Sequence, residues 1–214
     1  MQLNMTKGKP LPVILMFTVP LIIGNVFQQL YNMVDTIIVG RFVGADALAA
    51  VGSTGTIMFL VVGFTQGITA GFSVLTAQRF GAKDKEGVKV SVANGILLSL
   101  IFTVAISALS MISMHGLLKL MNTPDNIFRY AYDYIFVIFL GIPFTLLYNL
   151  LSSILRSVGD SRTPFLFLAI STVLNIGLDL LCIIVFKWGV AGAAISTLLS
   201  RVMAAVVMFA LSLN

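Results

Sequence analysis

The chain has 214 residues, of which 58% are hydrophobic and 10% charged, with a mean hydropathy of +1.04 and a net charge of +5. A soluble domain carries about 25% charged residues, so this chain cannot cover a water-facing surface and must take lipid as its solvent. One cysteine, Cys182, and one histidine, His115, exclude a disulfide framework, a Cys/His metal cluster and His-based triads. The basic residues sit in short connections, as membrane topology requires, and are no nucleic-acid footprint.

Six stretches reach the roughly 20 apolar residues that a spanning helix needs. The first, 11–39, follows Lys7 and Lys9 but far exceeds the roughly 7–15-residue apolar region of a cleavable signal. The second, 47–77, carries Gly63, Gly67 and Gly71 at every fourth position, a spacing that predicts close helix packing. The third, 88–118, places His115 near its end as an interfacial residue. The fourth, 127–155, is interrupted by Pro143, as the first is by Pro20. Proline removes a backbone bond and kinks a helix, and Pro20, below a carboxylate, is a candidate hinge. The fifth, 164–186, and the sixth, 190–213, are separated by Lys187, Trp188 and Gly189. The expectation is an all-α integral membrane protein over 1–214, a single six-helix bundle. No connection exceeds about ten residues, which leaves no room for a soluble catalytic domain. The chain ends as the sixth span ends, which reads as one half of a larger architecture.

Orientation follows from Lys and Arg alone. Eight (Lys7, Lys9, Arg79, Lys83, Lys85, Lys89, Arg156, Arg162) fall on one side and four (Arg41, Lys119, Arg129, Lys187) on the other. The N-terminus is therefore expected in the cytoplasm. Trp188 is expected at the outer boundary. Arg201 belongs to neither side. It falls inside the sixth span, too deep to snorkel comfortably, and is expected to face a cavity or a partner.

Two carboxylates, Asp35 and Asp179, lie within spans. An Asp at a helix centre costs roughly 2.5–3.5 kcal/mol on insertion scales, so it faces protein or water and marks a proton or cation site. At 100° per residue, Asn25, Gln28, Gln29, Asn32, Asp35 and Thr36 share roughly a 120° arc of the first helix. Ser171, Thr172, Asn175 and Asp179 form a second stripe, and Gln66, Thr69, Ser73 and Thr76 a third. Isolated Ser and Thr in membrane helices commonly make interhelical hydrogen bonds; three aligned stripes predict a shared polar cavity.

The ordered set of motifs resembles one family. Pro20-Leu21-Ile22 leads to Asp35-Thr36, and Gly44-Ala45-Asp46-Ala47-Leu48-Ala49-Ala50-Val51-Gly52 follows. Next come Leu155-Arg156-Ser157-Val158-Gly159-Asp160 before Pro164, then Asn175-Ile176-Gly177-Leu178-Asp179, then Gly189-Val190-Ala191-Gly192-Ala193-Ala194. These are similar to the multidrug and toxic compound extrusion (MATE) family, whose wider superfamily includes lipid-linked oligosaccharide flippases. The resemblance implies a twelve-helix plasma-membrane antiporter of two six-helix lobes. It would export cationic and amphiphilic drugs in exchange for Na⁺ or H⁺, with no other cofactor. This chain would be the N-terminal lobe, with a second lobe as its partner. The resemblance also implies a cation site of Asp35, Tyr134, Asn175, Asp179 and Thr197, and matches Pro20 to a bending proline.

Carboxylate, amide and hydroxyl oxygens suit Na⁺, and a buried carboxylate equally suits a proton, so the residues leave the ion open. A flippase of anionic lipid-linked sugars is the alternative; its cavity should be rich in Arg and Lys, and here only Arg201 is embedded. A membrane-embedded enzyme would need a nucleophile, metal ligands or a phosphate cluster that the sequence does not supply, and the polar stripes argue against a non-transporting structural subunit.

Overall fold

The computed structural model describes residues 10–212. Lys7 and Lys9, used for orientation, and Leu213, the expected end of the sixth span, lie outside the described residues. Seven α-helices run in order: α1 (Pro10–Phe42), α2 (Ala45–Gly81), α3 (Lys85–Leu120), α4 (Asp125–Leu140), α5 (Ile142–Ser157), α6 (Arg162–Leu180) and α7 (Gly189–Ser212). No strand occurs among the described residues. Five segments are long and apolar enough to span alone, and α4 with α5 makes a sixth, broken span. The chain is a multi-pass membrane protein. At 1.5 Å per residue the 37 residues of α2 are roughly 55 Å long, so the helix outruns a hydrocarbon core of about 30 Å.

The fourth span is not the single kinked helix expected over 127–155. It stops at Leu140 and restarts at Ile142, with a bend of 47°. Pro143 has no N–H for the Phe139 carbonyl, and its ring crowds that carbonyl. The chain closes the gap locally: the Gly141 N–H donates to the Ile138 carbonyl at 2.9 Å. Gly141 also sits where a Cβ would meet Leu198 of α7 at 3.1 Å, so the break coincides with a close helix crossing.

The fifth span continues past α6 as a π-helical turn, Leu181–Val185. A left-handed reversal at Lys187 (φ 54°) and Gly189 (φ 59°) then starts α7. Gly192 lies against that turn; a Cβ there would come within 3.3 Å of the Cys182 backbone. Trp188 stacks on Phe186 with ring centroids 5.0 Å apart and is half-exposed.

Apolar packing has three centres. One joins α2, α3, α4 and α5 through Ile57, Ile106, Leu118, Ile135, Phe139 and Leu146. A second joins Ile38, Val39, Tyr134, Ile183 and Ala194. A third, at the other end of α7, joins Tyr148, Leu151, Phe167, Ala205 and Met208. The outer face of α3 exposes Ile96, Leu97, Leu100, Ile101 and Val104, the apolar surface that lipid requires. Gly63, Gly67 and Gly71 do not make the expected close packing within the lobe: all three are exposed, and a Cβ at any of them meets nothing within 4 Å.

Candidate functional site

Between the second and third packing centres, α1, α4, α6 and α7 enclose a polar cluster. Asp179 and Asn175, four residues apart on one face of α6, are 0% and 1% exposed. Asp35 of α1 is buried beside them, its carboxyl within side-chain reach of Asp179. The Asn175 amide, oriented by its partners, donates from Nδ2 to Asp179 Oδ2 at 2.9 Å and accepts from the Thr197 N–H at 3.2 Å. One oxygen of each acid, Asp35 Oδ1 and Asp179 Oδ1, is buried with no hydrogen-bond partner. Buried polar atoms are almost always paired, so two orphaned carboxylate oxygens in one cluster are a strong anomaly. Two like charges in such a place need a positive partner, a proton or a metal cation.

Tyr134 of α4 is buried within electrostatic range of both acids. Thr197 presents its hydroxyl to Tyr31, and the two share a hydrogen bond of 2.9 Å. The five residues Asp35, Tyr134, Asn175, Asp179 and Thr197 therefore converge. Two further buried side chains adjoin the cluster: Tyr31, near both acids, and Ser196, whose hydroxyl donates to the Gly192 carbonyl at 2.8 Å. Tyr31 lies four residues before Asp35, a spacing that puts it on the same helix face.

Within this lobe the three stripes do not enclose one cavity. On α1 the inward line is Gly24, Gln28, Tyr31, Asp35 and Ile38. Asn25, Gln29, Asn32 and Thr36 are exposed on the lobe surface, and the last three bond along their own helix: Asn32 Nδ2 donates to Gln29 Oε1 at 3.2 Å, and Thr36 Oγ1 to the Asn32 carbonyl at 2.7 Å. On α2, Thr69 and Thr76 are buried and donate to carbonyls of α2 itself. Gln66 is exposed, and Ser73 donates to the Ala70 carbonyl at 2.7 Å. Only Gln28 of the first stripe joins Ser171 and Thr172 of α6, in a small pocket that also holds Arg201. Pro20 lies inside an unbroken α1, beside a separate cleft with Asn25, Arg156 and Ser161. His115 is exposed and packs edge-on against Phe128, 5.4 Å between centroids.

A family model, MatE, matches residues 20–181. The probable multidrug resistance protein YoeA of Bacillus subtilis (strain 168) is 37% identical over 191 residues, 87% of this chain and 41% of that protein. A FAD transporter of Shewanella oneidensis is 28% identical over 198 residues, 90% of this chain and 43% of that protein. Crystal structures of MATE in bent and straight conformations each match with a TM-score of 0.89 at 31% identity, over 97% of this chain and 46% of theirs. A six-span bundle that fits such structures along nearly its whole length is one lobe of a membrane transporter. The chain belongs to the MatE family, and it spans about half the length of the curated relatives it matches.

Proposed function

We propose that this lobe works with a second six-helix lobe as a cation-driven exporter of amphiphilic small molecules, and not as an enzyme. The plasma membrane, with the N-terminus in the cytoplasm, is the setting that the Lys and Arg distribution and the resemblance support. Na⁺ or H⁺ occupies the Asp35–Asp179 pair. The carrying observation is that pair: two buried carboxylates on different helices, each with an orphaned oxygen, beside Asn175 and the Thr197–Tyr31 hydroxyls. Coupling requires that occupancy change the relative free energies of two conformations. A carboxylate pair split between α1 and α6 does this, because the helices repel when the pair is empty and are drawn together when a cation or proton neutralises it. Relatives named for multidrug resistance and for FAD transport both occur, so family membership supports export without fixing cargo; cationic drugs are the cargo that the resemblance implies.

The test is ethidium efflux from cells expressing the intact gene product, under imposed Na⁺ or pH gradients. Asp35→Asn and Asp179→Asn should each abolish gradient-driven efflux at matched membrane expression. Wild-type efflux in both variants would remove the pair from the mechanism.

A further inference from the structure

At the end of the lobe that carries the α2–α3 and α5–α6 connections, a cleft of about 160 Å³ opens between α1 and the start of α6. Pro20 and Asn25 of α1, Arg156 in the last turn of α5, and Ser161 and Phe165 at the start of α6 line it. Its floor is the close approach of α1 to α6, where a Cβ on Gly24 would meet Leu168 at 3.6 Å and Phe165 at 3.7 Å. The polar groups around it are spare. Ser161 is 2% exposed, and its hydroxyl has no hydrogen-bond partner. It stands at the cap of α6 without capping it, because Asp160 already accepts from the Arg162 and Thr163 N–H groups at 3.1 and 3.0 Å. Among the described residues there are two ion pairs, Arg79–Asp84 and Lys89–Glu86, and Arg156 is in neither. The Arg156 and Asn25 side chains make no hydrogen bond to any described residue.

A guanidinium, a hydroxyl and an amide presented to one cleft offer donors to an oxyanion, and Arg supplies them in the fork that phosphate oxygens fit. No carboxylate is among the lining residues, and Asp160, next in sequence to Ser161, is turned onto the first turn of α6 and the Thr163 hydroxyl. A water takes about 30 Å³ of liquid, so the cleft holds roughly five non-hydrogen atoms, the number in a phosphate group. Its place in the lobe decides the source of that phosphate. Arg156 is the penultimate residue of α5 and Ser161 immediately precedes α6, so the cleft lies where two spans leave the hydrocarbon. Ile22, Ile23 and Leu166, each next in the chain to a lining residue, are exposed apolar side chains that acyl chains can cover. Arg79, Lys83, Lys85, Lys89 and Arg162 lie at the same end and attract anionic headgroups to it. We propose that this cleft binds the phosphodiester of an anionic membrane lipid, held by Arg156, Ser161 and Asn25. A lipid so held bridges α1 to the α5–α6 end of the lobe beside Pro20, on the helix that carries Asp35. The site is separate from the acid pair, and it stands whatever the cargo or the coupling ion.

The probes are two short-chain lipids that differ in headgroup, dioctanoyl phosphatidylglycerol and dioctanoyl phosphatidylcholine, with inorganic phosphate as a third. Native mass spectrometry of the purified intact protein reads the dissociation constant of the first bound lipid. Wild type should bind the glycerol lipid about fivefold more tightly than the choline lipid, the worth of one basic residue beside an anionic headgroup. Arg156→Gln should weaken binding of the glycerol lipid about tenfold, the loss expected for one charge-assisted hydrogen bond, and remove the preference. Ser161→Ala should weaken it about threefold. Thermal unfolding of that variant without lipid should match wild type, since the hydroxyl removed has no partner in the protein. Ser161→Ala also keeps the test decisive if Arg156→Gln fails to insert. Lys85→Gln removes an exposed charge at the same end but outside the cleft, and should leave the preference intact. Equal wild-type affinity for the two lipids, the result expected if the second lobe covers the cleft, would overturn the proposal. So would a preference that survives both Arg156→Gln and Ser161→Ala, or one that Lys85→Gln reduces as much as Arg156→Gln does, which assigns it to the diffuse charge of that end. Displacement of the bound lipid by an equimolar amount of inorganic phosphate would assign the cleft to a free anion and overturn the lipid reading.

Discussion

The Tyr31 and Thr197 hydroxyls, 166 residues apart in sequence, share a hydrogen bond of 2.9 Å that ties the first span to the last. The bond lies one helical turn from Asp35 along α1, and on α7 Thr197 lies one turn from Arg201. It therefore joins the acid pair to the Arg201 pocket through a single contact.

Tyr31→Phe should cost about 0.5–1.5 kcal/mol of stability, the usual net worth of such a hydrogen bond. Thermal unfolding in detergent checks this, with Thr197→Val and the double variant closing the cycle. Additive losses would show that the two hydroxyls do not depend on one another.

Occupancy of the acid pair should stabilise the folded state by mass action, about 2.7 kcal/mol at a ligand concentration of 100 Kd. Wild type should therefore gain thermal stability on titration with Na⁺ or on acidification, whichever supplies the coupling ion. Asp179→Asn should flatten that response. A variant that responds as wild type does would place the ion elsewhere.

Pro20→Ala should restore the backbone bond to the Met16 carbonyl and favour a straight α1 by up to about 3 kcal/mol. That is enough to depopulate a bent form on the order of a hundredfold. Dye efflux should fall while insertion and expression stay normal. Crystal structures of MATE in bent and in straight conformations match the lobe with the same TM-score, 0.89. Efflux equal to wild type would reduce Pro20 to a packing residue.

Outside the membrane, Asp84 caps α3. Its carboxylate accepts from the Gly87 N–H at 2.9 Å and pairs with Arg79 at 3.0 Å, and these contacts, the backbone bond first, hold its pKa below the usual aspartate value. A depressed carboxylate stabilises the fold above its unfolded pKa of about 3.9 and loses that contribution as pH falls through the lower folded value. Asp84→Asn should lose stability relative to wild type near neutral pH, and the gap should close below about pH 4. A gap that stays constant across that range would assign the effect to the amide's fit rather than to charge.

Much of this was legible because lipid imposes simple rules. Long apolar runs gave the six spans, and the Asn175–Asp179 spacing put two polar groups on one face. What the pattern could not show depends on who packs against whom. Leu181-Cys182-Ile183-Ile184-Val185 reads as plain apolar helix; its π turn is visible only with Gly192 seated against Cys182. Pro143 marked a kink, but the break falls at Gly141, where Leu198 crosses. The polar arc on α1 was drawn wider than the strip that this helix buries, so Asn25, Gln29, Asn32 and Thr36 turned outward while Tyr31 turned in.

That narrow strip has a mechanical consequence. Helix α1 packs chiefly on α6, with most of its side chains on the outside of the lobe. Sliding it away would uncover little apolar surface that the bilayer does not already solvate. Beyond the buried Ile38 and Val39, its position is then set by a few polar fastenings, the Asp35–Asp179 encounter and the Tyr31–Thr197 bond. On the function proposed above, a cation or proton at the acid pair would be the bolt of such a latch.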